Sequence, residues 1–151
     1  MSEQHFEQLK LENQLCFPLY ACSREVIKKY RPFLDAIGLT YTQYVAMMVF
    51  WEEDSVSVKE LGKRLYLDSG TLTPVLKSLE QKGFITRRRS AEDERVLIAA
   101  LTPAGRAMQP AAAEIPRQIG GALPMQPEDA FQLHVLLCKL LSAIQPDAER
   151  K

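Results

Sequence analysis

The chain has few of the residues that metal, phosphate and hydrolytic chemistry require. It carries two histidines, His5 and His134, and three cysteines, Cys16, Cys22 and Cys138, in 151 residues. No HExxH, GxSxG or Gly-rich phosphate loop occurs, so those enzyme classes have no candidate site, and no metal or cofactor is expected. The cysteines are too scattered for a zinc knuckle, and three cannot all pair within one chain, which argues against a disulfide scaffold. Long hydrophobic runs are missing too. The longest, Tyr44 to Trp51, falls far short of the ~20 residues that span a bilayer, and the start MSEQHFEQLKLE is polar and acidic rather than signal-like. A soluble, cytoplasmic protein without a membrane partner is expected. There is no internal repeat, and the length fits one domain over residues 1–151, with 46% hydrophobic residues to build its core.

What is present is concentrated in residues 57–106. Ser57 with Glu60 three positions on reads as a capping box, followed by Val58, Leu61 and Leu65 on one helical face. Asp68-Ser69 opens a second helix, in which Leu72, Val75, Leu76 and Leu79 follow the i, i+3, i+4, i+7 pattern. Its other face carries Ser69, Thr71, Thr73, Lys77 and Gln81, short hydroxyls followed by a cation, which suits a helix whose first turn meets base edges and phosphates. Pro74 deprives the Gly70 carbonyl of its helical donor and predicts an irregular first turn. Gly83 sits where a helix end needs a left-handed residue; Phe84 to Arg89 and Val96 to Leu101 then read as two strands around the polar turn 90–95. Thr102-Pro103 restarts a helix. These signals in this order outline a winged helix-turn-helix over residues 57–102, in a mainly α (α+β) fold.

Charge separates this reading from the many small α+β domains that contain a helix pair and a hairpin but touch no nucleic acid. Between Lys59 and Arg89 there are eight cations and three anions, a balance of +5 in a chain whose formal net charge is zero. Such a local basic patch is the footprint of a duplex-binding face.

The flanks are apolar and helical in pattern. Leu9 to Tyr30 reads as one helix bent at Pro18, and Thr42 to Glu53 as a second. Pro103 to Ile119 is a third, ended by Gly120-Gly121, and Pro127 to Ile144 a last one with Leu133, Leu137, Leu140, Leu141 and Ile144 along it. The segments 1–35 and 104–147 carry more apolar surface than the reading unit can cover, which predicts a two-fold homodimer with two reading heads on a pseudo-palindromic operator.

With the unit and flanks in place, the chain resembles the MarR family of winged-helix repressors, whose wing carries an Asp-x-Arg signature, here Asp93-Glu94-Arg95. LENQLCFPLYACSR and LDSGTLTPVLKSLE are similar, more narrowly, to the organic hydroperoxide resistance regulators (OhrR). That resemblance implies a peroxide-reactive Cys16, hydrogen-bonded across the dimer by Tyr30 and Tyr41, with Tyr20 one turn past Cys16 able to join them. It also implies Arg95 in the minor groove braced by Asp93. Ser69, Thr71 and Thr73 would face the major groove and Lys77 a phosphate. Of the strand arginines, Arg88 is taken as the contacting one.

The chemistry asked of Cys16 follows from thiol acidity. An ordinary thiol, with a pKa of ~8.5, is mostly protonated at neutral pH, and phenolic O–H groups are donors for the thiolate that an apolar pocket tolerates. Leu15, Phe17 and Leu19 are expected to line that pocket, which favours a greasy organic hydroperoxide. Cys22 and Cys138 read as packed core. With no second cysteine near Gly120-Gly121, a mixed disulfide with a low-molecular-weight thiol is the expected end state. Two alternatives stay open: a repressor that senses an aromatic ligand with Cys16 inert, and a thiol peroxidase.

Overall fold

A computed structural model describes residues 6–145. Two 3-10 turns, Glu7–Leu9 and Leu11–Asn13, precede α1 (Cys16–Asp35). The single helix expected over Leu9 to Tyr30 is therefore displaced towards the C-terminus. Pro18 occupies the third position of α1, in the first turn where a missing N–H costs nothing, so it marks the helix start instead of bending a longer helix. At the other end α1 continues through Pro32 to Asp35.

The turn after α1 uses Gly38 at φ +71° and leads to Thr40, which caps α2 (Tyr41–Glu53) through a reciprocal box. Thr40 Oγ1 accepts from the Gln43 N–H at 3.2 Å, and Gln43 Oε1 accepts from the Thr40 N–H at 3.1 Å. This box starts the helix at Tyr41, one residue before the position expected. Tyr44, Ala46, Met47, Val49 and Phe50 are buried around α2, which makes it the central helix of the core.

The reading unit begins with a strand the sequence pattern did not announce, β1 (Ser55–Ser57). It joins α3 (Val58–Leu65), α4 (Ser69–Gln81), β2 (Ile85–Arg89) and β3 (Leu97–Leu101). The three strands form an antiparallel sheet in the order β1-β3-β2, with Val56 and Arg87 both opposite Ala99. Three residues are too few to show a period-two pattern. Ser57 Oγ caps α3 by accepting from the Glu60 N–H at 3.1 Å, but no return bond from the Glu60 carboxylate is found among the described residues, so the expected box is only half formed. Gly83 takes φ +80° after α4, as its place in the sequence requires.

Beyond the sheet, Thr102 caps α5 (Pro103–Ala107) and also donates to the Gly83 carbonyl at 2.6 Å. A Cβ on Gly105 would collide with the Phe84 carbonyl oxygen, so this contact between α5 and the strand entrance admits only glycine. α6 (Gln109–Ala113) and α7 (Ile115–Ala122) follow, separated by the single helical residues Met108 and Glu114. The expected single helix is thus segmented by Pro110 and Pro116. Gly120-Gly121 does not end it; both lie within α7.

The buried core gathers Leu34, α2, Leu61, the inner face of α4, Ile85, Ala99, Ile115 and Ile119. α8 (Pro127–Ile144) contributes no buried residue. Phe131, Leu133, Leu136, Leu137, Leu140 and Leu141 are exposed along it, and Leu15, Phe17 and Leu19 are exposed at the start of α1. The two terminal arms therefore carry the apolar surface the protomer leaves uncovered. No described helix is long and apolar enough to cross a membrane.

Candidate nucleic-acid interface and thiol site

α4 is amphipathic by construction. Leu72, Leu76 and Leu79 are buried, while Ser69, Thr71, Thr73 and Lys77 are exposed. Asp68 accepts from the Thr71 N–H at 2.7 Å, and this bond holds its carboxyl below the ordinary carboxylate value. The irregular first turn expected from Pro74 is absent: the helix is continuous from Ser69. Thr73 Oγ1 donates to the Ser69 carbonyl at 2.7 Å, so its hydroxyl is engaged as a donor within the turn and remains an acceptor towards solvent.

At the wing tip, Asp93 takes three hydrogen bonds from Arg95. Oδ1 accepts from the backbone N–H and from Nε, each at 3.0 Å, and Oδ2 accepts from a guanidinium N–H at 3.1 Å. The Arg95 side chain is 90% exposed, and its guanidinium keeps the Asp93 carboxyl below the usual range. The brace expected of Asp93 is thus formed, and it aims a solvated cation outward.

The basic patch is smaller than the residue count implies. Arg87 donates to Glu80 through both its backbone N–H, at 2.9 Å, and its guanidinium, at 3.1 Å. Lys82 Nζ is drawn to the Gly38 carbonyl at 2.6 Å and to Gln43 Oε1 at 3.0 Å. Both cations hold α4 in the fold. Arg88 is exposed and, by strand alternation, leaves the sheet on the face opposite Ile85 and Arg87. A groove of about 710 Å³ lies between α3, the start of α4 and the wing, lined by Lys63, Tyr66, Leu72, Arg95 and Leu97 among others.

The thiol site is divided. Cys16 is exposed at the first position of α1, and Leu15 beside it is 82% exposed, so the expected apolar pocket is not closed within the protomer. Tyr30 and Tyr41 meet edge-on, with ring centroids 5.0 Å apart. Burial raises the pKa of both phenols, which keeps their hydroxyls protonated as donors. Tyr44 completes the cluster at 6.1 Å from Tyr30 and 6.4 Å from Tyr41. It escaped the sequence reading because a tyrosine inside the apolar run 44–51 looks like core. It is core, 1% exposed, yet its buried hydroxyl has no partner among the described residues and burial pushes its pKa up to about 12. Tyr20 stands apart from the cluster, exposed on α1 with Arg24 5.4 Å above its ring.

Cys16 and Tyr30 lie on one continuous helix, fourteen residues apart, which at 1.5 Å per residue separates them by about 21 Å. They cannot meet within one chain. Cys22 and Cys138, expected in the core, are both exposed, because each sits on an arm that the protomer leaves uncovered. Cys138 Sγ lies 3.6 Å from His134 Nε2, one turn earlier on α8.

Comparison with known proteins places this arrangement in a family. The MarR family model matches residues 39–97. The chain is 49% identical over 142 residues, 94% of its length and 97% of the relative's, to the organic hydroperoxide resistance transcriptional regulator of Bacillus subtilis (strain 168). The solved structure of reduced AbfR bound to DNA superposes with a TM-score of 0.75 at 40% identity, covering 91% of this chain and 96% of that one. Disulfide-formed AbfR gives 0.64 at 39% identity, covering 89% and 95%. With its winged helix-turn-helix, its Asp-braced wing arginine and these relatives, the chain belongs to the MarR family of transcriptional regulators.

Proposed function

We propose that this chain is a homodimeric, DNA-binding repressor whose release from its operator is triggered by oxidation of Cys16 by an organic hydroperoxide. The observation that carries the reading is the separation of Cys16 from the Tyr30–Tyr41 pair along α1, at the edge of apolar arms that nothing in the protomer covers. A second copy of the chain, packed through α1 and α8, supplies both what covers the arms and the tyrosines for each thiol. The relatives support this: one is named for organic hydroperoxide resistance, and AbfR has been solved in reduced, DNA-bound form and in disulfide form.

In this reading Tyr30 and Tyr41 donate to the Cys16 thiolate of the other protomer. The thiolate attacks one peroxide oxygen, the O–O bond breaks, and the alkoxide leaves as an alcohol after taking up a proton. The resulting sulfenic acid condenses with a low-molecular-weight thiol, losing water and forming a mixed disulfide. The bulkier sulfur displaces the phenols and shifts the two reading heads away from operator spacing. Arg95, braced by Asp93, enters the minor groove, Ser69, Thr71 and Thr73 face the major groove, and Lys77 and Arg88 meet phosphates.

The test is a mobility shift on a duplex selected from random sequence by the reduced protein, with and without cumene hydroperoxide, and intact mass on the same samples. Wild type is expected to gain mass at Cys16 and release DNA, and Cys16→Ser to bind and never release. The groove between α3, α4 and the wing is the feature on which a ligand-sensing repressor would rest, and in that case Cys16→Ser behaves as wild type. Multiple turnover of peroxide by wild type would instead indicate a thiol peroxidase.

A further inference from the structure

Gln43 is the one buried polar residue of the described core, 6% exposed, and it stands between Tyr41 and Tyr44 in the first turn of α2. Its amide is used in two directions. Oε1 accepts from the Thr40 N–H at 3.1 Å and from Lys82 Nζ at 3.0 Å, while Nε2 donates to Ser78 Oγ at 3.0 Å. Lys82 also donates to the Gly38 carbonyl at 2.6 Å, in the turn that joins the two tyrosine-bearing helices. Ser78 and Lys82 belong to the end of α4, whose Glu80 holds the first wing strand through Arg87. The last turn of α4 and its C-cap are therefore tied on one side to the turn 38–43, which carries Tyr41, and on the other to the wing.

We infer that Gln43, through Ser78 and Lys82, is the positioning residue that couples the tyrosine cluster to the reading helix. The inference rests on the peroxide reading above. The physical reason is that the neighbouring α2–α4 contacts are apolar and non-directional, whereas these bonds hold the buried Gln43 amide to a half-buried hydroxyl and an exposed ammonium at defined distances along the edge of the core. When Tyr41 is displaced, the turn 38–43 moves with it, and the directional ties carry that movement into α4. An apolar contact alone would slide.

The experiment compares wild type, Ser78→Ala, Lys82→Met and the hydroxyl-preserving Ser78→Thr. For each, the rate of Cys16 oxidation by cumene hydroperoxide is followed by intact mass, and affinity for the selected duplex is measured before and after oxidation. Ser78→Ala and Lys82→Met are expected to oxidise at the wild-type rate but to lower the ratio of reduced to oxidised affinity by about fivefold or more. Ser78→Thr is expected to restore the ratio. Lys82 is exposed, so Lys82→Met serves if Ser78→Ala does not fold. A purely structural role would weaken both states equally and leave the ratio at the wild-type value, which overturns the inference. A wild type that holds DNA equally well after Cys16 is oxidised overturns the peroxide reading and this inference with it.

Discussion

Tyr44 shows how one side chain can serve packing and carry a cost at the same time. Its ring fills the core against Tyr30 and Tyr41, but its hydroxyl is sealed from water and has no partner among the described residues. An unsatisfied buried hydroxyl costs about 1–3 kcal/mol, and removing it while keeping the ring recovers part of that. Tyr44→Phe is therefore expected to melt at the wild-type temperature or above. A clear fall in melting temperature would mean that the hydroxyl finds a partner in the assembled protein. The same accounting explains Lys82 and Arg87, which a count of charges assigns to DNA and the folded chain uses to fasten α4. Their chemistry was legible in the sequence. Their partners, thirty-nine to forty-four residues away for Lys82, were not.

Helices α2 to α5 start where short polar side chains satisfy their first N–H groups, and these starts were readable to within a residue. Asp68, Ser57 and Thr102 each accept from the N–H three residues on. Asp68 adds a pH dependence. Its folded carboxyl lies below its ordinary value of 3.8, so its contribution is fully present above that value and is lost as the pH falls through the lower, folded one. Asp68→Asn keeps an acceptor but cannot titrate. Urea unfolding of the two proteins across the acid range is expected to show the wild-type advantage narrowing as the pH falls; a constant gap would contradict the cap assignment. The helix ends and the three-residue β1 were harder to read. Pro18, Pro32, Gly120 and Gly121 are all accommodated inside helices, because packing and position within the first turn override local propensity. β1 exists only because β3 offers it an edge.

At the scale of the whole molecule, the proposed homodimer gives the terminal arms their use. α8 presents its leucines to solvent, an arrangement that burial in a dimer resolves. If the proposed dimer packs through α8, replacing Leu137 and Leu141 by Glu converts it to monomer by sedimentation, with operator binding lost. The winged unit should keep its own helical signal, since neither residue is buried in the protomer. A double variant that stays dimeric would move the interface elsewhere.

The Asp93–Arg95 brace was implied by the wing's resemblance to the MarR family, whereas the α3–α4 pair, its caps and the Gly83 turn were legible in the sequence alone, because each depends on residues within a few positions of one another. Periodicity and turn chemistry report such local geometry directly. The packed fold, in contrast, brings Tyr44 to Tyr30 and Tyr41, ties the first turn of α2 to α4 through Gln43, and leaves the arm that carries Cys16 uncovered. Those facts depend on which distant side chains the packed core brings together, and on which surfaces it leaves bare.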